Sequence, residues 1–349
     1  MVFTSSRWRA PVFRVGARTY SWLDVLLDAM AHGEWHLFDR HMRAGAGCAT
    51  EADRLDAWPA AAEVEAAATA FRYARDLLTS EETEAWLAAV DLEMEVWSEV
   101  LTRDVLRSRW AHRLDEVAAA DLDVTALESS LVAAEGHCSG LFARFARALA
   151  VRAAVAETAD VPADAADDAA PSLPPAHAAW LVGLDAADVA ARRQFLATTA
   201  ARANATFQSA LTPEHLAVHV ERCRLDWLRV DLERLDFASE AAAREAALCV
   251  RVDGLSLSEV AIESRQAVTD DRTLLDALPD ALRDSVLSAS PGDVVGPVEI
   301  DGVFAVVHIV SKAAASLTDP LVRARAEQSI VEAIGARAVL AHVVWIERL

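Results

Sequence analysis

Residues 278–312 read Leu278-Pro279-Asp280-Ala281-Leu282-Arg283-Asp284-Ser285-Val286-Leu287-Ser288-Ala289-Ser290-Pro291-Gly292-Asp293-Val294-Val295-Gly296-Pro297-Val298-Glu299-Ile300-Asp301-Gly302-Val303-Phe304-Ala305-Val306-Val307-His308-Ile309-Val310-Ser311-Lys312. The order is a short helix, a tight turn, a strand, a second turn and a second strand. Pro291 pre-sets φ at the first central turn position and Gly292 supplies the positive φ needed next. Val294, Val295, Val298 and Ile300 are β-branched and favour a strand. Asp301-Gly302 is the hairpin signal that joins that strand to Val303–Val310.

Upstream, Ser239 caps a first helix, which Gly254 is expected to end in a left-handed conformation. Ser256-Leu257-Ser258-Glu259 is a capping box opening a second helix. A strand region from Arg229 to Phe237 precedes both. With the Leu-Pro helix, the Pro-Gly-acid turn and the Gly-Pro-Val strand, this order of pieces resembles parvulin-type peptidyl-prolyl isomerases of the PpiC/SurA/PrsA family. The resemblance implies a small α/β domain with an antiparallel sheet at 229–317.

The family's catalytic signature is not matched. Parvulins twist the X–Pro bond against a barrier of ~18–20 kcal/mol set by amide resonance. By resemblance, they do so with a polar cluster of two histidines and a cysteine or aspartate. In the register anchored on Ser239-Glu240, Arg234 stands where the first histidine is expected and Phe304 where the second is. The glycine-rich loop of the family is reduced to Thr269-Asp270-Asp271-Arg272-Thr273. His308 shares Phe304's strand face, about 13 Å further along. His308, Asp236 and Cys249 are therefore the candidate catalytic groups. Phe237, Leu282, Val286, Leu287 and Phe304, with Arg234, are the candidates for a groove that takes an extended peptide.

The rest of the chain reads as mostly helical, because alanine is the best helix former and inflates the 54% hydrophobic fraction. Val12–Tyr20 reads as two short strands around Gly16, followed by a helix capped by Ser21. This beginning is similar to SurA-like foldases. Gly45, Gly47 and Thr50 mark a loop. Thr79-Ser80-Glu81-Glu82 is a capping box. Acidic residues and prolines at 159–175 read as a linker, and Thr212-Pro213 opens a helix. A final helix is expected from Thr318-Asp319-Pro320 to Trp345, and the resemblance implies that it returns to the N-terminal lobe. The expected fold is α+β. A helical lobe spans 1–158, the linker 159–175, connecting helices 176–228, the parvulin-like domain 229–317 and the returning helix 318–349.

A net charge of −21 argues against nucleic acid and anionic membrane surfaces as partners. No stretch approaches a membrane span, and the first twenty residues, with Arg7, Arg9, Arg14 and Arg18, lack the unbroken apolar run of a secretory signal. Cys48, Cys138, Cys223 and Cys249 are widely spaced and read as reduced thiols. These features point to the cytoplasm. His32 and His36, with His41 beyond, have metal-capable spacing, but Gly33 interrupts the helix and the expectation is no metal and no cofactor. Asp226, Asp231, Glu233 and Asp236 form an acidic run open to a basic peptide.

Three function classes follow. The first is a peptide-binding, SurA/PrsA-like foldase or chaperone with a degenerate parvulin domain. It would hold a client or precursor peptide, with a tailoring enzyme as a further partner if the peptide is a natural-product precursor. The second is an active peptidyl-prolyl isomerase with a rearranged site. The third is a peptide-maturation enzyme whose chemistry lies in the N-terminal lobe, around His32, His36 and His41.

Overall fold

The structure, a computed structural model, describes residues 2–119, 121–159 and 173–347. Residues 160–172 of the expected linker lie outside them. The fold is α+β, mostly helical with two small antiparallel sheets. The chain forms two compact units, Met1–Phe207 with Ile334–Leu349 and Gln208–Ala333. None of the described helices is long and apolar enough to cross a membrane.

The first unit begins with β1 (Pro11–Val15) and β2 (Arg18–Ser21), joined at Gly16, whose φ of +55° suits glycine. Ser21 then forms a reciprocal capping box with Asp24 and opens α1 (Trp22–Ala31). Leu23, Val25, Leu26, Leu27 and Met30 of α1 are all buried. Its two acids, Asp24 and Asp28, are also buried and are answered by Arg192 and Arg152, so the whole helix can lie in the core. Gly33, at φ +73°, separates it from α2 (Trp35–Leu55).

The loop expected at Gly45, Gly47 and Thr50 is instead the middle of α2. Those glycines are there for space. A Cβ at Gly47 would overlap the Val117 carbonyl oxygen, and one at Gly45 would overlap the Arg107 guanidinium. Next come α3 (Ala61–Tyr73), α4 (Ser80–Ala89), with the expected Thr79–Glu82 capping box, and α5 (Met94–Arg109). They are followed by α6 (Leu114–Val117), α7 (Ser129–Cys138), α8 (Leu141–Glu157), α9 (Pro175–Ala178) and α10 (Ala186–Ala210).

The core of this unit is aromatic. Phe3, Trp8, Trp35, Phe38, Phe142 and Trp180 meet mostly edge-on or tilted, with Phe3 stacked on Trp180, and ring centroids are 4.8 Å apart for Phe3–Trp8 and 5.2 Å for Trp35–Trp180. The Trp8 indole donates to Val2 O at 2.8 Å and Ser129 Oγ at 2.9 Å, so its burial leaves no orphan donor. Beside this core lies a buried charge. Glu135 of α7 is 0% exposed and takes Arg107 of α5 and His41 of α2, both at 2.8 Å. Burial alone would raise its pKa. The His41 hydrogen bond and the Arg107 charge outweigh burial and hold the carboxyl below its ordinary value.

The second unit contains α11 (Pro213–Arg222), β3 (Arg229–Phe237), α12 (Glu240–Arg251) and α13 (Leu257–Ser264), then β4 (Thr269–Leu274), α14 (Asp280–Ser288), β5 (Val294–Ile300) and β6 (Val303–Ala313). The helix α15 (Pro320–His342) begins in this unit and ends in the first. The four strands form one antiparallel sheet in the order β4-β3-β6-β5. Thr269–Thr273, expected as a shortened loop, is most of edge strand β4 and pairs with β3 from Arg234↔Thr269 to Arg229↔Leu274. Its charges keep that open edge from templating another strand. Gly292 at φ +93° and Asp301-Gly302 at φ +51° and +83° make the two expected turns.

Two chain ends differ from expectation. α12 stops at Arg251, ahead of Gly254. The final helix stops at His342, and Val343–Trp345 forms β7, which pairs antiparallel with β1 of the same unit in the sheet β2-β1-β7. The run Val343-Val344-Trp345 is β-branched and aromatic, a composition that favours a strand over another helical turn.

Candidate functional site

The faces of the four-stranded sheet decide what the second unit can bind. Val230 and Leu232 of β3, with Ala305, Val307 and Ile309 of β6, pack against Leu282 and Val286 of α14. Leu235 and Phe237, with Phe304 and Val306, pack on the opposite face against α12 and α13. Alternation along a strand requires this division. The apolar groove expected from Phe237, Leu282, Val286, Leu287 and Phe304 therefore does not form, because the sheet lies between its two halves. Leu282 and Val286 are buried core, and Leu287 is largely exposed.

The candidate catalytic groups do not converge either. Asp236 is on the α14 face and accepts from Arg234 Nε at 2.7 Å. His308 is on the other face, with Nδ1 2.8 Å from Glu233 Oε2 on the neighbouring strand. Cys249 is on α12, on the same side of the sheet as His308 and across it from Asp236. Lys312, near the end of β6, caps the C-terminus of α14. Its ammonium donates to Val286 O, Leu287 O and Ala289 O. Burial lowers its pKa, against the attraction of Asp293.

Of the acidic run, Asp226 lies ahead of β3, and the three members on the strand are paired within the unit. Asp231 accepts from Ser311 Oγ at 2.6 Å and Arg272 Nε at 2.9 Å, and Glu233 and Asp236 have the partners named above. In the first unit, His32 and His36 contact the carbonyls of Asp28 and Gly33, while His41 is taken by Glu135. Among the described residues, no group of three or more His, Cys, Asp and Glu side chains is placed to hold a metal ion.

What the second unit does contain is a cleft of about 510 Å³ between α12, α13 and the end of β3. Ser239 opens α12 by accepting from Ala242 N at 3.4 Å. Ala243, Ala246 and Ala247 then face the sheet, and their small side chains let the helix pack close to it. The Ser256–Glu259 capping box opens α13, which buries Leu257, Val260 and Ala261. Phe237, Ala246 and Val260 form a buried apolar floor. Glu245 and Glu263 stand on the rim, one on each helix, with Ser239, Ser264 and Gln266. The volume lies within the usual range for ligand clefts, ~300–1,000 Å³.

Cys249 also lines this cleft. Desolvation, then the carboxylates of Asp253, Glu245 and Glu263, raise its pKa. The thiol is therefore held in its protonated, weakly nucleophilic form at neutral pH. The cleft can seat an apolar side chain beside a polar, negative rim, and it has no activated nucleophile.

Of the residues singled out from sequence, Phe237 and Cys249 line this cleft; Glu245, Val260 and Glu263 were missed. A sequence signal exists for the glutamates. Neither has a basic residue three or four positions away, whereas Glu240 has Arg244 and pairs with it at 2.6 Å.

No family model matches the chain, and no curated protein matches it. Among solved structures, the chain is similar to a peptidyl-prolyl isomerase (PrsA) from Bacillus anthracis, at 12% identity over 55% of this chain and 92% of that one, with a TM-score of 0.33.

Proposed function

We propose that the chain is a polypeptide-binding, foldase- or chaperone-like protein. Its second unit is a parvulin-like scaffold that no longer handles the prolyl bond. One observation carries this reading: Asp236 lies across the sheet from His308 and Cys249, and His308 and Asp236 are each tied to a charged neighbour, while an apolar-floored cleft remains. Twisting an amide across a ~18–20 kcal/mol barrier needs polar groups gathered under one bond. Holding an extended segment needs an apolar seat and polar edges. The order of motifs from Arg229 to Lys312, together with the strand order β4-β3-β6-β5, supports the parvulin-like assignment.

The segment held would be a client or a precursor peptide awaiting a tailoring enzyme, in a cytoplasmic setting that suits four free thiols. A protease-coupled assay on proline peptides tests the isomerase side. The expected rate is that of the uncatalysed reaction. Turnover that falls in His308→Ala or Cys249→Ser would restore the isomerase reading.

A further inference from the structure

We propose that the α12–α13 cleft selects polypeptide segments in which a large apolar side chain neighbours lysine or arginine. The inference rests on the polypeptide-binding reading and adds the chemistry of the segment. The floor, Phe237, Ala246 and Val260, is apolar and buried. The side chains of Glu245 and Glu263 have no hydrogen-bond or ion-pair partner among the described residues, and both are exposed.

The basic residues of the two helices do not answer this charge. Arg244 is held by Glu240 at 2.6 Å. Arg251 donates to Val294 O at 2.9 Å and Gly296 O at 2.7 Å, which turns it toward β5. Arg265, past the end of α13, does not line the cleft. Asp253 adds a third carboxylate near Cys249. On β3, by contrast, Asp231, Glu233 and Asp236 each have a partner. The unanswered negative charge of this unit's cleft thus surrounds its apolar seat. A cation beside an apolar side chain is the complement of that arrangement.

The test uses three fluorescent peptides of ~10 residues, a length that spans a cleft in extended form. All carry a central Leu-Phe, flanked by Lys, Gln or Glu. Binding to the full chain is followed by anisotropy at low salt and again at about 0.3 M, where exposed ion pairs are screened. We expect the Lys peptide to bind about tenfold tighter than the Gln peptide, as two exposed ion pairs allow. The Glu peptide should bind weakest, and salt should erase most of the difference.

Glu245→Gln with Glu263→Gln should bring the Lys peptide down to the Gln peptide's affinity and leave the Gln peptide unchanged. Ala242→Trp, at an exposed lip position, should weaken all three peptides by blocking the seat. Equal binding of the three peptides, still lost in Ala242→Trp, would overturn the charge selection and keep the polypeptide-binding reading. Binding of none, or binding indifferent to Ala242→Trp, would overturn both.

Discussion

Glu135 of the first unit and the Glu245–Glu263 pair of the second answer an excess of negative charge in opposite ways. Glu135 is fully buried and held by Arg107 and His41 from two other helices. Glu245 and Glu263 are exposed beside an apolar floor and have no partner. The first arrangement fixes three helices to one another. The second leaves charge available to whatever enters. Where pairing is complete, a carboxylate helps to specify the fold; where it is missing beside an apolar seat, it is available for recognition.

The sharpest way to break the comparison is to remove the buried carboxylate. Glu135→Ala strands Arg107 with its charge half-answered, and should destabilise the first unit by roughly 3–5 kcal/mol in denaturant unfolding. A cost below ~1 kcal/mol would mean that the network is as dispensable as a surface pair. Next in size, Gly47→Ala should cost about 1–3 kcal/mol, because backbone must move to clear the new methyl. In the second unit, Lys312→Met leaves three carbonyls at the end of α14 without their donor and should cost about 1–3 kcal/mol.

A smaller effect depends on pH. Burial pushes the Glu347 carboxyl up from 4.5 to about 7, although the Trp22 indole donates to it at 2.7 Å. An acid raised in the folded state favours folding while it is protonated. That contribution is complete below about pH 4.5 and is lost as pH climbs through about 7. Thermal unfolding between those limits should show a decline with pH that Glu347→Gln flattens. The smallest effect is expected at the cleft rim. Glu245→Gln with Glu263→Gln should leave the thermal midpoint unchanged, since these surface groups touch no partner. A loss of stability there would show that they are structural after all.

How much of this was legible in the sequence depended on how local the signal was. The capping boxes at Thr79 and Ser256, the Pro291-Gly292 turn and the Asp301-Gly302 hairpin are written in two to four adjacent residues, and the structure has each. Gly45 and Gly47 misled because their role is set by Arg107 and Val117, far along the chain. Thr269–Thr273 looked like a loop because it is polar, yet it is an edge strand, where charge is tolerated. The expected groove failed on a single parity: Phe237 and Leu232 are an odd number of residues apart on β3, so they face opposite sides of the sheet. The true cleft was faint because alanines build its wall, and alanine marks helix without marking a face. The isolation of Glu245 and Glu263 from any basic residue one helical turn away was the one readable clue.

The most direct measurement is hydrogen–deuterium exchange of the full chain with and without the Lys-flanked Leu-Phe peptide. We expect slowed exchange in 237–249 and 257–266, with 280–288 unchanged. Protection confined to 280–288, or none anywhere in the second unit, would contradict this expectation.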